Sequence, residues 1–209
     1  MRERPIIFSD PMVRAILDGR KTQTRRIVKP IGNDDRFVML DYGSGWWPYR
    51  SNYGESHMKG DKEIPHACPY GQPGDRLWVR EAWAYNPYDD RVWYRATDEL
   101  PSKDEYGPLR WLASIHMARA DSRITLEITG VRVEPLQNIT EADAIAEGVT
   151  PKWEPGCSGR LMEALNGFSF RPAASAYLDL WEQINGPGSA SANPWVWVIQ
   201  FEKVKERQP

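Results

Sequence analysis

The chain has 209 residues, of which 41% are hydrophobic, and this length fits one domain with insertions or at most two small domains. A formal net charge of −2 excludes a global attraction to nucleic acid, so such binding would need a local basic patch. Its two cysteines, Cys68 and Cys157, match no metal spacing and indicate free thiols in a reducing interior, and no stretch approaches the roughly 20 apolar residues of a membrane span.

The N-terminal segment lacks the long apolar core of a secretory signal, so we expect a cytoplasmic protein. A short helix follows, capped by Ser9 or Asp10, with a proline in its first turn. Its apolar residues recur at helical spacing and predict one face toward a core: Val13, Ile16 and Leu17. Gly19 is the expected left-handed cap at its end.

The basic octet, residues 19–26, holds four cations and two hydroxyls directly behind this helix. Its sequence is Gly19-Arg20-Lys21-Thr22-Gln23-Thr24-Arg25-Arg26. The β-branched run from Thr24 to Val28 predicts a strand, on which Thr24 and Arg26 share one face while Arg25 and Ile27 share the other. Lys21 precedes Thr24 closely, and a lysine within reach of a threonine hydroxyl can activate it as a nucleophile. The alternative is a surface turn with solvated lysine and arginine side chains.

The middle of the chain alternates loop-rich segments with short strands. Residues 31–72 read as a long insertion with little regular structure, although an aromatic and basic group within it could contact a ligand: Trp46, Trp47, Tyr49 and Arg50. The turn Pro73-Gly74-Asp75 precedes a predicted strand over 76–83, and further strands are predicted over 91–96 and 115–118.

A strong strand is predicted over 123–134, with a bulge at Gly130, followed by a short helix over 140–148. Thr140 is its N-cap, with Asp143 in the place of the usual Glu of a capping box, and Gly148 ends it. We expect Ala142 and Ile145 to face the core. Glu147 lies in the last turn, where the negative end of the helix dipole disfavours a carboxylate. Such a position is a hint of function, and the alternative is an ordinary exposed glutamate.

Residues 150–172 read as a second loop-rich segment. A helix is predicted from Ala173 to Ile184, with one apolar face formed by Tyr177, Leu180, Trp181 and Ile184. The closing strand, Trp195 to Glu202, is apolar on both faces and therefore central in a sheet. Several strands with few helices predict an α+β fold, in the form of a small β-barrel decorated by short helices.

Four of these segments together resemble ASCH domains, small barrels of the PUA-like superfamily. The pattern Gly19-x-Lys21-x-x-x-x-Arg26 after a short helix is similar to that family's signature, and the segments at 73–79, 140–147 and 195–201 match in kind and order. The tryptophan-rich segments also look like bacteriophage and prophage members. The resemblance implies one ASCH domain over 1–209, with insertions at about 31–72, 84–120 and 150–172.

The octet is also similar to the Gly-Arg-Lys-Thr-x-Thr-x-Arg motif of bacterial N4-acetylcytidine amidohydrolases, which are minimal ASCH enzymes. That resemblance implies an enzyme that hydrolyses an amide of an N4-acylated cytidine-type nucleoside. It makes Lys21 the proton acceptor, Thr24 the nucleophile and Glu147 the proton donor to the leaving amine. Nearby arginines would lower the pKa of Lys21, and Arg26 would steady an oxyanion or orient Glu147. The expected substrate-binding residues are Arg20, Arg25, Arg26, Trp78 and Arg80.

Two other functions stay open at this point. PUA-like barrels commonly recognise RNA or modified bases, so the same cleft, with Trp78 or Trp83, could bind without chemistry. Some ASCH proteins cleave single-stranded RNA, so a ribonuclease is a third possibility. The expected partner in each case is a modified nucleoside or RNA and not a membrane. We expect no cofactor and no metal site, because the three histidines are isolated: His57, His66 and His116.

Overall fold

The computed structural model describes residues 1–29, 37–50, 64–88, 90–101, 109–155 and 168–204. The helices are α1 (Asp10–Leu17), α2 (Glu141–Ala146) and α3 (Ala173–Asn185). The strands are β1 (Glu3–Ile7), β2 (Gln23–Ile27), β3 (Phe37–Asp41), β4 (Trp46–Arg50), β5 (Ile64–Pro65), β6 (Arg76–Arg80), β7 (Trp83–Asn86), β8 (Arg91–Tyr94), β9 (Thr125–Pro135), β10 (Lys152–Pro155), β11 (Phe168–Arg171) and β12 (Trp195–Lys203). This is a mixed α+β fold dominated by sheet, as predicted. The strand pairings of the described residues contain no closed barrel.

The chain divides into two compact units. The first comprises Met1–Thr22, Pro69–Gly130 and the C-terminal stretch from Gln200. The second comprises Gln23–Cys68 and Val131–Ile199. Strands β9 and β12 contribute residues to both units, and each unit is built from segments that are distant in the sequence.

In the first unit, β6 lies between β1, with which it pairs in parallel, and β9, with which it pairs antiparallel. Helix α1 carries the predicted proline in its first turn and buries Val13 and Ile16, and Gly19 follows with φ +73°. That backbone conformation lies in the left-handed region that glycine tolerates best, so the predicted end of the helix is confirmed. Strands β7 and β8 form an antiparallel pair in which Ala84 faces Trp93.

Three strand predictions in this unit need correction. The strand expected over 76–83 is interrupted at Glu81 and Ala82, which separate β6 from β7. The strand expected over 115–118 is instead a 3-10 turn, Ser114–His116, in which Ile115 is exposed, while Met117 directly after it is buried. Strand β9 runs through Gly130 without the predicted interruption.

In the second unit, β12 lies between β9 and the end strand β2. Four consecutive residues of β12 are buried, Val196 to Ile199, which confirms the predicted central position. The core of this unit is formed by Leu136, Ile139, Ala144, Ala173, Tyr177, Trp181, Ala190, Val196 and Val198. Helix α2 packs against α3 and against β2, and this arrangement brings the polar side chains described below together.

The two segments predicted as loop-rich contain strands. Within 31–72, β3, β4 and β5 form an antiparallel sheet, and within 150–172, β10 pairs antiparallel with β11. Both predictions failed because these strands lack strict polar–apolar alternation and form through pairing with a partner strand. Parts of these segments, 30–36, 51–63 and 156–167, lie outside the described residues and include His57 and Cys157.

The prediction that Ala142 and Ile145 face the core is wrong. Ile145 is 46% exposed and Ala142 is exposed, whereas Ala144 is fully buried. A helix of six residues makes fewer than two turns, so α2 buries only Ala144. A longer amphipathic helix would bury several residues along one face. Among the described helices, none has the length and apolar character that a membrane crossing requires.

Candidate functional site

The basic octet is divided between the two units, and half of its residues are buried. In the first unit, Lys21 is 2% exposed, and its ammonium lies 5.6 Å from the ring centroid of Phe8, a cation–π distance. Arg20 is exposed and forms an ion pair of 2.9 Å with Asp18. Of the two predicted aromatic and basic ligands on β6, Trp78 is buried, and the guanidinium of Arg80 lies over its ring at 4.7 Å.

In the second unit, Gln23, Thr24 and Arg25 are each only 2% exposed. The surface-turn alternative for the octet is therefore wrong for these residues. Burying polar and charged groups costs free energy unless they are paired, so a run of them in a strand needs partners or a function.

The Arg25 cluster, which comprises Arg25, Arg132, Glu134, Asp143 and Glu147, supplies such partners. The guanidinium of Arg25 donates from Nη2 to Glu134 at 2.6 Å and lies 3.3 Å from Asp143. Its Nη1 donates to Glu147 over 3.3 Å. Side chains from β2, β9 and the region of α2 thus meet at one buried cation.

A second layer of bonds fixes this cluster. Arg132 donates to Asp143 at 2.8 Å and to Glu134 at 3.1 Å, while Gln23 donates to Asp143 at 3.2 Å. Burial acts to raise the pKa of Asp143, but hydrogen bonds from Thr140 and Gln23 and the charge of Arg25 outweigh it and hold that pKa well below its usual range. Asp143 is therefore a carboxylate at neutral pH.

The α2 segment presents Glu147 to this cluster. Thr140 and Asp143 form the predicted capping box, with the Asp143 amide donating to the Thr140 hydroxyl at 3.1 Å. Glu147 is the C-cap residue, and Gly148 follows with φ +91°. The alternative of an exposed glutamate is wrong, since Glu147 is only 5% exposed.

Tyr177 of α3 closes the other side of the cluster. Its ring centroid lies 5.9 Å from the guanidinium carbon of Arg25. Burial raises the pKa of the Tyr177 phenol far above its usual value, and the carboxylate of Glu147 adds to this effect. The phenol is therefore neutral at pH 7, and its ring contributes packing to the site.

Thr24 and Arg25 lie on opposite faces of β2. Gln23 and Arg25 both contact Asp143, and Ile27 packs against the core of this unit, so these alternate residues share one face, as predicted for Arg25 and Ile27. Among the described residues no hydrogen bond joins Thr24 to Glu147. The structure thus brings together Arg25 and Glu147 of the predicted set, and it places Thr24 on the same end strand with its side chain on the other face.

Sequence reasoning missed several members of the cluster. Glu134 and Arg132 lie two residues apart on β9, and this spacing puts both side chains on one face of the strand. Charged pairs on a strand are common at surfaces, so this signal alone did not mark a site. Asp143 was predicted as a helix cap only, although it also accepts from Arg132 and Gln23.

The aromatic group at 46–50 has mixed surroundings. Trp47 packs edge-on against Trp197, with 5.1 Å between the ring centroids, and its indole N–H donates to the His66 carbonyl at 2.9 Å. Trp47 therefore has a structural role. Trp46 is 45% exposed beside Trp195 at 5.3 Å. The side chain of Arg50 lies outside what the structure describes.

In the part of the chain that the structure describes, no group of three or more His, Cys, Asp or Glu side chains is arranged to hold a metal ion. Searches against family models, curated proteins and solved structures gave no match to this chain.

Proposed function

We propose that this protein is an amidohydrolase of N4-acylated cytidine-type nucleosides, built on an ASCH domain of the PUA-like type. The observation that carries the proposal is the burial of a polar set in and around one short motif: Lys21, Gln23, Thr24, Arg25 and Glu147. Buried polar groups reduce stability unless they are well paired, and sequences tolerate that cost chiefly at functional sites. The resemblance to ASCH amidohydrolases gives three of these residues a chemical role.

In the proposed reaction, the Thr24 hydroxyl attacks the acyl carbon of the substrate while its proton passes to Lys21. The C–N bond then breaks, and the departing amine takes a proton from Glu147. Water hydrolyses the resulting acyl–threonine ester, releases the carboxylic acid and restores the hydroxyl. Since Thr24 and Glu147 lie toward opposite faces of β2, the proposal requires the substrate to bind across the outer edge of this strand, which is the end strand of the described pairings.

The remaining roles are also proposed from the resemblance. Arg26 would stabilise the oxyanion, and Arg20, Trp78 and Arg80 would contact the nucleoside. The closed barrel of the ASCH fold belongs to this proposal as well.

The proposal is tested by incubating the purified chain with N4-acetylcytidine and measuring cytidine and acetate by chromatography. We expect Lys21→Ala and Glu147→Gln each to lower turnover by at least about 100-fold, because each removes a proton-transfer group. Circular dichroism checks that both variants are folded. Glu127→Gln is the matched control, since Glu127 is an exposed glutamate of β9, and it should retain full activity. Undiminished turnover in either of the first two variants would refute the mechanism.

The same assay separates the other two functions. Binding of modified nucleosides or RNA without product would favour a recognition module, for which the exposed Trp46 beside Trp195 offers a stacking surface. Cleavage of single-stranded RNA, with or without sensitivity to a chelator, would favour a ribonuclease. Either result, without amide hydrolysis, contradicts the proposal.

A further inference from the structure

We infer that Arg25 positions Glu147 for the reaction and does not bind the substrate, which was the role predicted for it. The inference rests on the proposed function for its kinetic test. The family motif leaves this position variable, so the role is a property of this chain and its cluster.

The first argument is the burial and occupation of the guanidinium. The side chain of Arg25 has no exposed surface, and both of its terminal nitrogens already contact carboxylates. Its Nε is buried and has no hydrogen-bond partner among the described residues. A substrate would have to displace Glu134, Asp143 or Glu147 in order to reach the charge.

The second argument is that Arg25 contacts both ends of the α2 segment. Asp143 belongs to the first turn of α2, and Glu147 is the C-cap residue four positions later. Each lies 3.3 Å from a terminal nitrogen of Arg25. One rigid, planar guanidinium therefore fixes the helix and its terminal carboxylate relative to β2.

The third argument concerns the charges that surround the pair. Glu134 and Arg132 approach from β9, Asp143 from α2 and Tyr177 from α3, and the charge of Arg26 acts on Tyr177. Tyr177 is neutral at pH 7, so it supplies no charge. Arg25 hydrogen-bonds Glu147 directly, whereas Arg132 binds Glu134 and Asp143. Removal of Arg25 should therefore affect Glu147 more than removal of Arg132 does.

The kinetic test compares Arg25→Lys and Arg25→Met with Arg132→Met, the matched control from the same cluster. We expect Arg25→Met to lower kcat by about 100-fold with KM unchanged, because a displaced catalytic group slows the chemical step. Arg25→Lys keeps the charge and should recover part of the loss. Arg132→Met should lower kcat much less than Arg25→Met does, because Arg132 binds Glu134 and Asp143.

A second readout works without any turnover, so failure of the proposed function can be told apart from failure of this inference. Carbon-13 NMR of the glutamate side chains at one neutral pH, with Glu147→Gln to assign the signal, reports the surroundings of the Glu147 carboxyl. We expect this signal to shift clearly in Arg25→Met, which removes the hydrogen bond from Nη1, and to shift much less in Arg132→Met. If Arg25→Met does not fold, Arg25→Lys serves for both readouts.

Three results would overturn the inference. A raised KM with unchanged kcat in the Arg25 variants would show substrate contact. Equal loss of kcat in Arg25→Met and Arg132→Met would show a structural role shared by the whole cluster. An unmoved Glu147 signal in the folded Arg25 variant would show that Arg25 does not position that carboxyl.

Discussion

At Arg25, a single buried guanidinium faces carboxylates supplied by β9 and the α2 segment. Removing one partner from a buried ion pair typically costs about 3–5 kcal/mol, because the remaining charge is left without compensation. Arg25, Asp143 and Glu147 therefore contribute to folding stability as well as to the proposed chemistry. Variants at these positions need a stability measurement beside every activity measurement.

Asp143 offers a prediction at this scale. Its pKa is lower in the folded protein than in the unfolded chain, so its contribution to stability is full above the unfolded value of about 4 and is lost as pH falls below it. We expect Asp143→Asn to lower the free energy of unfolding by about 2 kcal/mol at pH 7. The difference from the native chain should shrink between about pH 4 and pH 2.

Urea unfolding at a series of pH values measures this difference. Asp18→Asn is the control, because Asp18 is exposed and its ion pair with Arg20 is a surface pair of little net value. A constant gap between native and Asp143→Asn down to pH 2 would contradict the assignment.

The sequence predicted the capping roles of residues better than it predicted which polar residues are buried. Thr140, Asp143 and Gly148 follow from local capping rules, which act within a few residues, and all three are confirmed. The burial of Gln23 and Arg25 depends on α2 and β9, which lie more than 100 positions away in the chain. Spacing within the octet carries no information about such partners.

At the scale of elements, α2 also stabilises the start of α3. The carboxylate of Glu141 accepts hydrogen bonds from the backbone amides of Ala173 at 2.7 Å and Ala174 at 3.0 Å. Those amides belong to the first turn of α3, which has no side-chain cap of its own. A negative charge at a helix N-terminus is favourable, so this contact ties the two helices together.

We expect Glu141→Ala to lower the free energy of unfolding by about 1 kcal/mol, the usual value of a lost helix cap. Thermal unfolding followed by circular dichroism measures the change. Gln183→Ala is the control, because Gln183 is an exposed residue of the same helix and alanine is a good helix former. Equal stability of the Glu141 variant and the native chain would show that the contact carries no net free energy.

Helices and strands differed in how far the sequence predicts them. Each helix has a local signal, namely a proline in the first turn of α1, the capping box of α2 and the apolar spacing of α3. Each helix was predicted within about two residues, the usual uncertainty of helix ends. Strands β3, β4, β10 and β11 were missed, since their stability comes from pairing across segments rich in glycine, proline and aromatic residues.

At the scale of the whole molecule, neither compact unit is a continuous stretch of chain. The first is interrupted between Thr22 and Pro69 and again between Gly130 and Gln200. Strands β9 and β12 each carry residues of both units. The prediction of one domain over 1–209 therefore has a direct thermodynamic test.

We expect Leu77→Ala in the first unit and Leu136→Ala in the second each to lower the free energy of unfolding by about 2–5 kcal/mol, since both side chains are fully buried. If the chain is one domain, both variants shift one common transition, measured by tryptophan fluorescence and by circular dichroism. Separate transitions, each sensitive to only one of the two variants, would contradict the single domain.

Strand β2 has a consequence for how this protein tolerates insertions and deletions. Three consecutive residues are buried, namely Gln23, Thr24 and Arg25, so side chains on both faces of the strand are packed against other parts of the protein. A shift of one residue would turn Thr24 toward α2 and Arg25 away from it, with every neighbour exchanged at the same time. A point substitution within the octet removes the contacts of one side chain, whereas a change of its length by a single residue removes Arg25 from its carboxylates and Thr24 from its face in one step.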